Sequence, residues 1–148
     1  MVKFPQILDQ IYSAFRERSD QARVILMHPN GRFRTPFIAR LTRTTDYQVF
    51  YYALSPDDVD LPALLNGMTH DLSAQNPLFG RHIHMLYPED AQDMGKLAAA
   101  AARDIAELSS QPFLLVLDEY DRSHAADDIQ WFIEQLVDQL PAHCKIVI

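Results

Sequence analysis

The sequence predicts an α/β domain: a parallel sheet with helices on both faces, of the P-loop NTPase-like three-layer sandwich kind. Three observations predict it. Short apolar runs of strand length alternate with amphipathic helical stretches along the chain, which is how a parallel sheet with crossover helices reads. Phe113 to Leu117 are all apolar, as in a central strand covered on both faces. A strand, turn and helix at 23–42, then an apolar strand ending in two acids at 113–119, stand in the order a P-loop core requires.

The elements follow in order. Residues 4–18 read as a helix, with Pro5 where a missing N–H is harmless and Ile7, Ile11, Ala14 and Phe15 on one stripe. Residues 23–27 are an apolar run of strand length, and His28-Pro-Asn-Gly31 is turn chemistry. A helix is expected over 35–42 and an aromatic-rich strand over 47–54. Leu61, Leu64, Leu65, Met68 and Leu72 share one face of a helix over 61–74. Residues 76–90 hold Pro77, Gly80 and Pro88 and read as loop, with a short strand at 83–86. An Ala-rich helix follows over 91–109. Residues 127–140 make a helix with Ile129, Phe132, Ile133, Leu136, Val137 and Leu140 inward, and 145–148 open a last strand. Trp131 and Tyr120 read as packing residues near the sheet edge.

Composition narrows the function classes. The chain has 148 residues, 48% of them hydrophobic, and a net charge of −7, which suits one domain with one sizeable core. No cluster of Lys and Arg offers a duplex-binding surface, so nucleic acid is not an expected partner of this segment. No apolar run approaches the roughly 20 residues of a membrane span. The single Cys144 allows no internal disulfide and no Cys-based zinc site, and fits a cytoplasmic location. Buried at a strand start, its thiol is expected to be inert.

The chemistry-bearing motif is the turn after the first strand. A working phosphate loop has the pattern G-x-x-x-x-G-K-[ST]. The aligned residues are His28-Pro29-Asn30-Gly31-Arg32-Phe33-Arg34-Thr35, and Thr35 alone fully satisfies it. His28 and Phe33 replace the glycines that let backbone N–H groups approach a phosphate. Arg34 keeps the charge of the lysine but is planar and longer. About eighty residues on, Phe113-Leu-Leu-Val-Leu-Asp118-Glu119 has the Walker B form. The candidate nucleotide-binding residues are therefore Asn30, Gly31, Arg32, Phe33, Arg34 and Thr35. Thr35 and Asp118 would hold Mg²⁺ beside bound ATP or ADP, and Glu119 would polarise the attacking water.

The same residues carry a family resemblance. The order resembles the N-terminal part of STAND-class NTPases, especially the large ATP-binding LuxR-type transcription activators of the maltose-regulon-activator kind. It is carried by the helix from Ile7 to Phe15, the loop His28 to Pro36, the stretch Tyr51-Tyr-Ala-Leu-Ser-Pro-Asp-Asp-Val-Asp-Leu-Pro-Ala-Leu-Leu and Leu115-Val-Leu-Asp-Glu-Tyr-Asp121. It implies one domain over 1–148, with a helix at 4–18 and a core at 23–148, forming the N-terminal part of a larger cytoplasmic regulator. It also implies a sheet that stops before a fifth strand, leaving the first strand at an edge, which invites pairing between chains. Protein partners, other domains of the same regulator and a homodimer are the partners expected on this reading.

Other clusters have plainer readings. His82 and His84 would share one face of a strand, two imidazoles short of a third metal ligand. Asp57, Asp58 and Asp60 suit a helix N-terminus. Arg32, Arg34, Arg40 and Arg43 form either a solvated helix face or an anion-binding mouth. Three functions follow: a regulatory switch or interaction domain with lost hydrolysis, a slow Mg-ATPase, or an α/β domain for an anionic metabolite.

Overall fold

The structure is a computed structural model that describes residues 3–28, 31, 33–44 and 47–148. The strands are β1 (Val24–Ile25), β2 (Gln48–Ala53), β3 (Phe113–Asp118) and β4 (Cys144–Val147). The helices are α1 (Phe4–Ser19), α2 (Arg34–Thr44), α3 (Leu61–Gln75), α4 (Arg81–His84), α5 (Met94–Ala106) and α6 (Asp127–Gln139). The strands form one sheet in the order β1-β4-β3-β2, and every pairing is parallel.

That order explains the layering. The connection from β1 to β2 runs one way across the sheet; those from β2 to β3 and from β3 to β4 run back. Right-handed crossovers in opposite directions deliver their helices to opposite faces. The two cores agree. Phe15 of α1 and Phe37, Ile38 and Leu41 of α2 pack on Leu114, Val116 and Val147. Leu64, Met68 and Leu72 of α3, Leu97, Ala101 and Ile105 of α5, and Ile129, Phe132 and Leu136 of α6 pack on Phe50, Tyr52, Phe113, Leu115, Leu117 and Ile146. Alternate residues of β3 thus feed alternate cores, and all five from Phe113 to Leu117 are buried. The first strand does lie at a sheet edge. It is shorter than the run 23–27, although Met27 still donates to the Ile148 carbonyl at 2.6 Å.

Carboxylates lock the α3 side. Asp60 caps α3 by accepting from the Ala63 N–H at 2.9 Å. Asp128 of α6 accepts from the Leu61 N–H at 2.7 Å. Asp58 is buried and accepts from the Tyr52 hydroxyl and the Ser55 N–H, each at 2.7 Å. Burial, then the bond to Asp58, raises the Tyr52 phenol well above its ordinary range. Helix α3 passes so close to Tyr52 that a Cβ on Gly67 would stand 2.3 Å from the hydroxyl oxygen; only glycine fits there.

Four expectations need correction. Residues 83–86 are not a strand: Arg81–His84 form a helical turn. Gly80, at φ 91°, turns the chain into it. The carboxylate of Asp104, 1% exposed on α5, accepts from the His82 and Ile83 N–H groups at 3.0 and 3.1 Å. The histidine pair dissolves with the strand: His82 Nε2 lies 3.1 Å from Glu107 Oε1, whereas His84 is exposed. Trp131 is not a packing residue, being 67% exposed on α6, whereas Tyr120 is half-buried against the larger core. The Ala-rich helix begins at Met94 rather than at 91, because Asp93 caps it through the Lys96 N–H at 3.0 Å and 90–92 form a 3-10 turn. Among the described residues no helix is long and apolar enough to cross a membrane.

Candidate functional site

The carboxyl ends of β1 and β3 open onto a cavity of about 490 Å³, walled by His28, Ile38, Val116, Tyr120 and Val147 among others. Sites in parallel sheets form beyond these strand ends, where successive connections diverge to opposite faces. Here α2 leaves β1 on one face and α6 follows β3 on the other.

Asp118 is the last residue of β3. By strand alternation it continues the Leu114–Val116 side, toward α2. Arg34 is the first residue of α2, and its guanidinium reaches across. It stands 2.7 Å from Glu119 Oε1, 3.0 Å from Asp118 Oδ1 and 3.7 Å from Asp121 Oδ1. Its side chain is only 12% exposed. Arg122 Nε donates to the other Glu119 oxygen at 3.1 Å. Three carboxylates thus share two guanidinium groups in one partly buried cluster.

Two further bonds hold Asp118. The Tyr51 hydroxyl donates to Oδ2 at 2.8 Å, and the Glu119 N–H to Oδ1 at 2.9 Å. Burial is the first cause that pushes the Tyr51 phenol up, to about 12; the bond to Asp118 and the negative charges of Asp118 and Glu119 add to it, and Arg34 opposes. Glu119 adopts left-handed backbone, φ 59° and ψ 26°, the one described non-glycine residue with positive φ. Such a conformation costs of order 1–3 kcal/mol and persists where surrounding contacts over-determine it; here the two arginines do so.

The phosphate-loop candidates are placed unevenly. Asn30 and Arg32 lie outside the described residues. The Gly31 N–H donates to the His28 carbonyl at 3.1 Å and the Arg34 N–H to the Gly31 carbonyl at 3.1 Å, so both are spent inside the turn. Phe33 is half-buried and its ring packs on Phe4, centroids 5.5 Å apart. Thr35 is exposed and does not line the cavity. The Asp118 and Glu119 carboxylates face the Arg34 guanidinium. Among the described residues no group of three His, Cys, Asp or Glu is placed to hold a metal ion. The basic stretch is divided: Arg34 joins the acids, Arg40 pairs with Asp9 at 2.5 Å and lies over the Tyr12 ring, and Arg43 is exposed.

Sequence reasoning gave no site role to Tyr51 and Arg122 and none of its own to Asp121, which it placed only in the polar stretch that ends β3. Asp121 and Arg122 sit three residues beyond Asp118 and Glu119, a spacing that returns side chains to one side of a helical turn. Tyr51 lies opposite Val116 in the β2–β3 register, a relation only the pairing reveals. Compared with protein-family models, curated proteins and solved structures, the chain finds no match.

Proposed function

We propose that this chain is a nucleotide-binding-type regulatory domain of a signalling or transcriptional regulator that has given up efficient ATP hydrolysis and works as a switch or interaction module. The observation that carries the reading is the Arg34 guanidinium at 2.7 and 3.0 Å from Glu119 and Asp118. In a working P-loop site the loop cation serves the phosphates and the strand-end acids serve Mg²⁺ and water. Here cation and acids neutralise each other. A nucleotide would have to break a cluster only partly open to water, at a cost of about 3–5 kcal/mol for a buried pair, less where solvent reaches Glu119. Among the described residues of the loop, the Gly31 and Arg34 N–H groups are already engaged.

The P-loop type of fold is part of the same proposal. It is supported by the strand-turn-helix at β1–α2, the apolar β3 ending in Asp118-Glu119, and the convergence of both on one cavity. The resemblance to LuxR-type ATP-binding regulators supports the regulatory role.

The second reading, an active Mg-ATP site with slow turnover, is favoured by the cavity beside both acids. Calorimetric titration with ATP and Mg²⁺, beside Asp118→Ala, separates the two. The switch reading predicts no saturable heat at millimolar nucleotide. Saturable binding that weakens without Mg²⁺ and in the variant supports the ATPase instead.

A further inference from the structure

Helix α6 buries Ile129, Phe132, Ile133 and Leu136 and turns its other side to solvent. Asp127, Trp131, Glu134 and Asp138 are all exposed there. At about 100° per residue they fall within about 60° of one another, a stripe about 16 Å long. Trp131, the one tryptophan of the chain, is 67% exposed. A large aromatic left in water in the middle of a helix face forgoes burial that its neighbours on the same helix obtain. The segment 127–139 contains no Lys, Arg or His. None of the three carboxylates of the stripe takes part in an ion pair among the described residues.

The chemistry of the face defines what covers it. The indole ring is the strongest cation–π acceptor among side chains. Carboxylates one turn before it, one turn after and two turns after stand at neighbour distance along the helix. Tryptophan, with tyrosine and arginine, is enriched among the anchor residues of protein interfaces. A phosphate-rich partner is repelled by this charge, and an acidic or neutral helix would leave the carboxylates unpaired.

We propose that this stripe is a docking surface for a cationic polypeptide segment, with an Arg or Lys side chain stacked on the Trp131 indole and flanking cations paired with Asp127, Glu134 and Asp138. The surface gives the interaction-module reading a partner class and rests on that reading for its role in regulation. The two are tested apart, because none of these four residues lines the Arg34 cavity.

The test is calorimetric titration of the full chain with a capped synthetic helical peptide of Arg, Leu and Ala, followed in parallel by Trp131 fluorescence. The expected result is saturable binding with a shift of the emission, an affinity loss of tenfold or more in Glu134→Gln/Asp138→Asn, and a comparable loss in Trp131→Ala. The matching control, Glu17→Gln/Glu89→Gln, removes the same charge from two exposed sites elsewhere and is expected to change affinity less than twofold. All the substituted side chains are exposed, so thermal denaturation is expected to be unaltered. Equal loss in the two double variants means general attraction to a negative protein and overturns the proposal. So does unchanged binding in Trp131→Ala, or no binding of the peptide at all.

Discussion

Replacing Gly67 by alanine tests the packing of α3 against the sheet at its tightest point. The added Cβ would stand 2.3 Å from the Tyr52 hydroxyl oxygen and 3.2 Å from Asp58 Oδ1. Tyr52 is 3% exposed, so its ring has nowhere to swing. Either α3 shifts outward, an overpacking cost of about 1–3 kcal/mol, or the hydroxyl loses Asp58, a charge-assisted bond worth about 1.5–3 kcal/mol. Alanine returns about 1 kcal/mol of helix propensity. A net destabilisation of about 1.5–5 kcal/mol is expected where both costs contribute, or roughly 3–20 °C in Tm for a chain of this size. The decisive comparison is a cycle with Tyr52→Phe, read by urea denaturation followed by circular dichroism. Without the hydroxyl the closest atoms to the new Cβ are Asp58 Oδ1 at 3.2 Å and Tyr52 Cζ at 3.3 Å, which small shifts relieve. Gly67→Ala should therefore cost less in that background, with a coupling of about 1 kcal/mol or more. A Gly67→Ala protein as stable as the parent, or a cycle additive within about 0.5 kcal/mol, refutes the close approach.

Other expectations follow from the same geometry. Arg34→Ala leaves Asp118 and Glu119 facing each other without their shared cation; a loss of about 1–3 kcal/mol is expected in thermal denaturation, discounted for the solvent that reaches Glu119. No change would mean that the cluster holds nothing together. Asp104→Ala removes the acceptor for the His82 and Ile83 N–H groups; hydrogen exchange at those two amides should quicken selectively, and unchanged protection would contradict the capping role. Alkaline pH should unfold the protein by linkage: burial pushes the Cys144 thiol from 9.0 up to about 12, and Tyr51 rises from 10.0 to about 12. Both raised groups leave stability intact below about pH 9, and it should fall as pH climbs through 10 toward 12. Denaturation midpoints across that range check this, and a flat profile counts against it. Cys144 should also resist thiol reagents until the chain unfolds.

Periodicity located α1, α3, α6 and β3 within a residue or two, because each buries one continuous apolar stripe or run: Leu64, Met68 and Leu72 in α3, Phe113 to Leu117 in β3. The helical turn α4 was illegible because the Asp104 carboxylate that fixes it lies more than twenty residues away on another helix. The exposure of Trp131 follows from helical spacing: two residues past Ile129, it points about 200° from that buried residue. Motif alignment brought Arg34, Asp118 and Glu119 to one site, as the structure does. Their mutual neutralisation could not be read, since it depends on β4 separating β1 from β3 and on the reach of α2 across that gap.

Arg34 is expected to stay on the strand-end acids when nucleotide is offered. Nuclear magnetic resonance of the ¹⁵N-labelled arginine side chains, with and without millimolar ATP and Mg²⁺, reads this directly. The expected result is a resolved Arg34 guanidinium signal that disappears in Glu119→Gln/Asp118→Asn and does not move with nucleotide. A saturable shift of that signal on adding ATP and Mg²⁺ would mean that Arg34 leaves the acids for phosphate, and would contradict it.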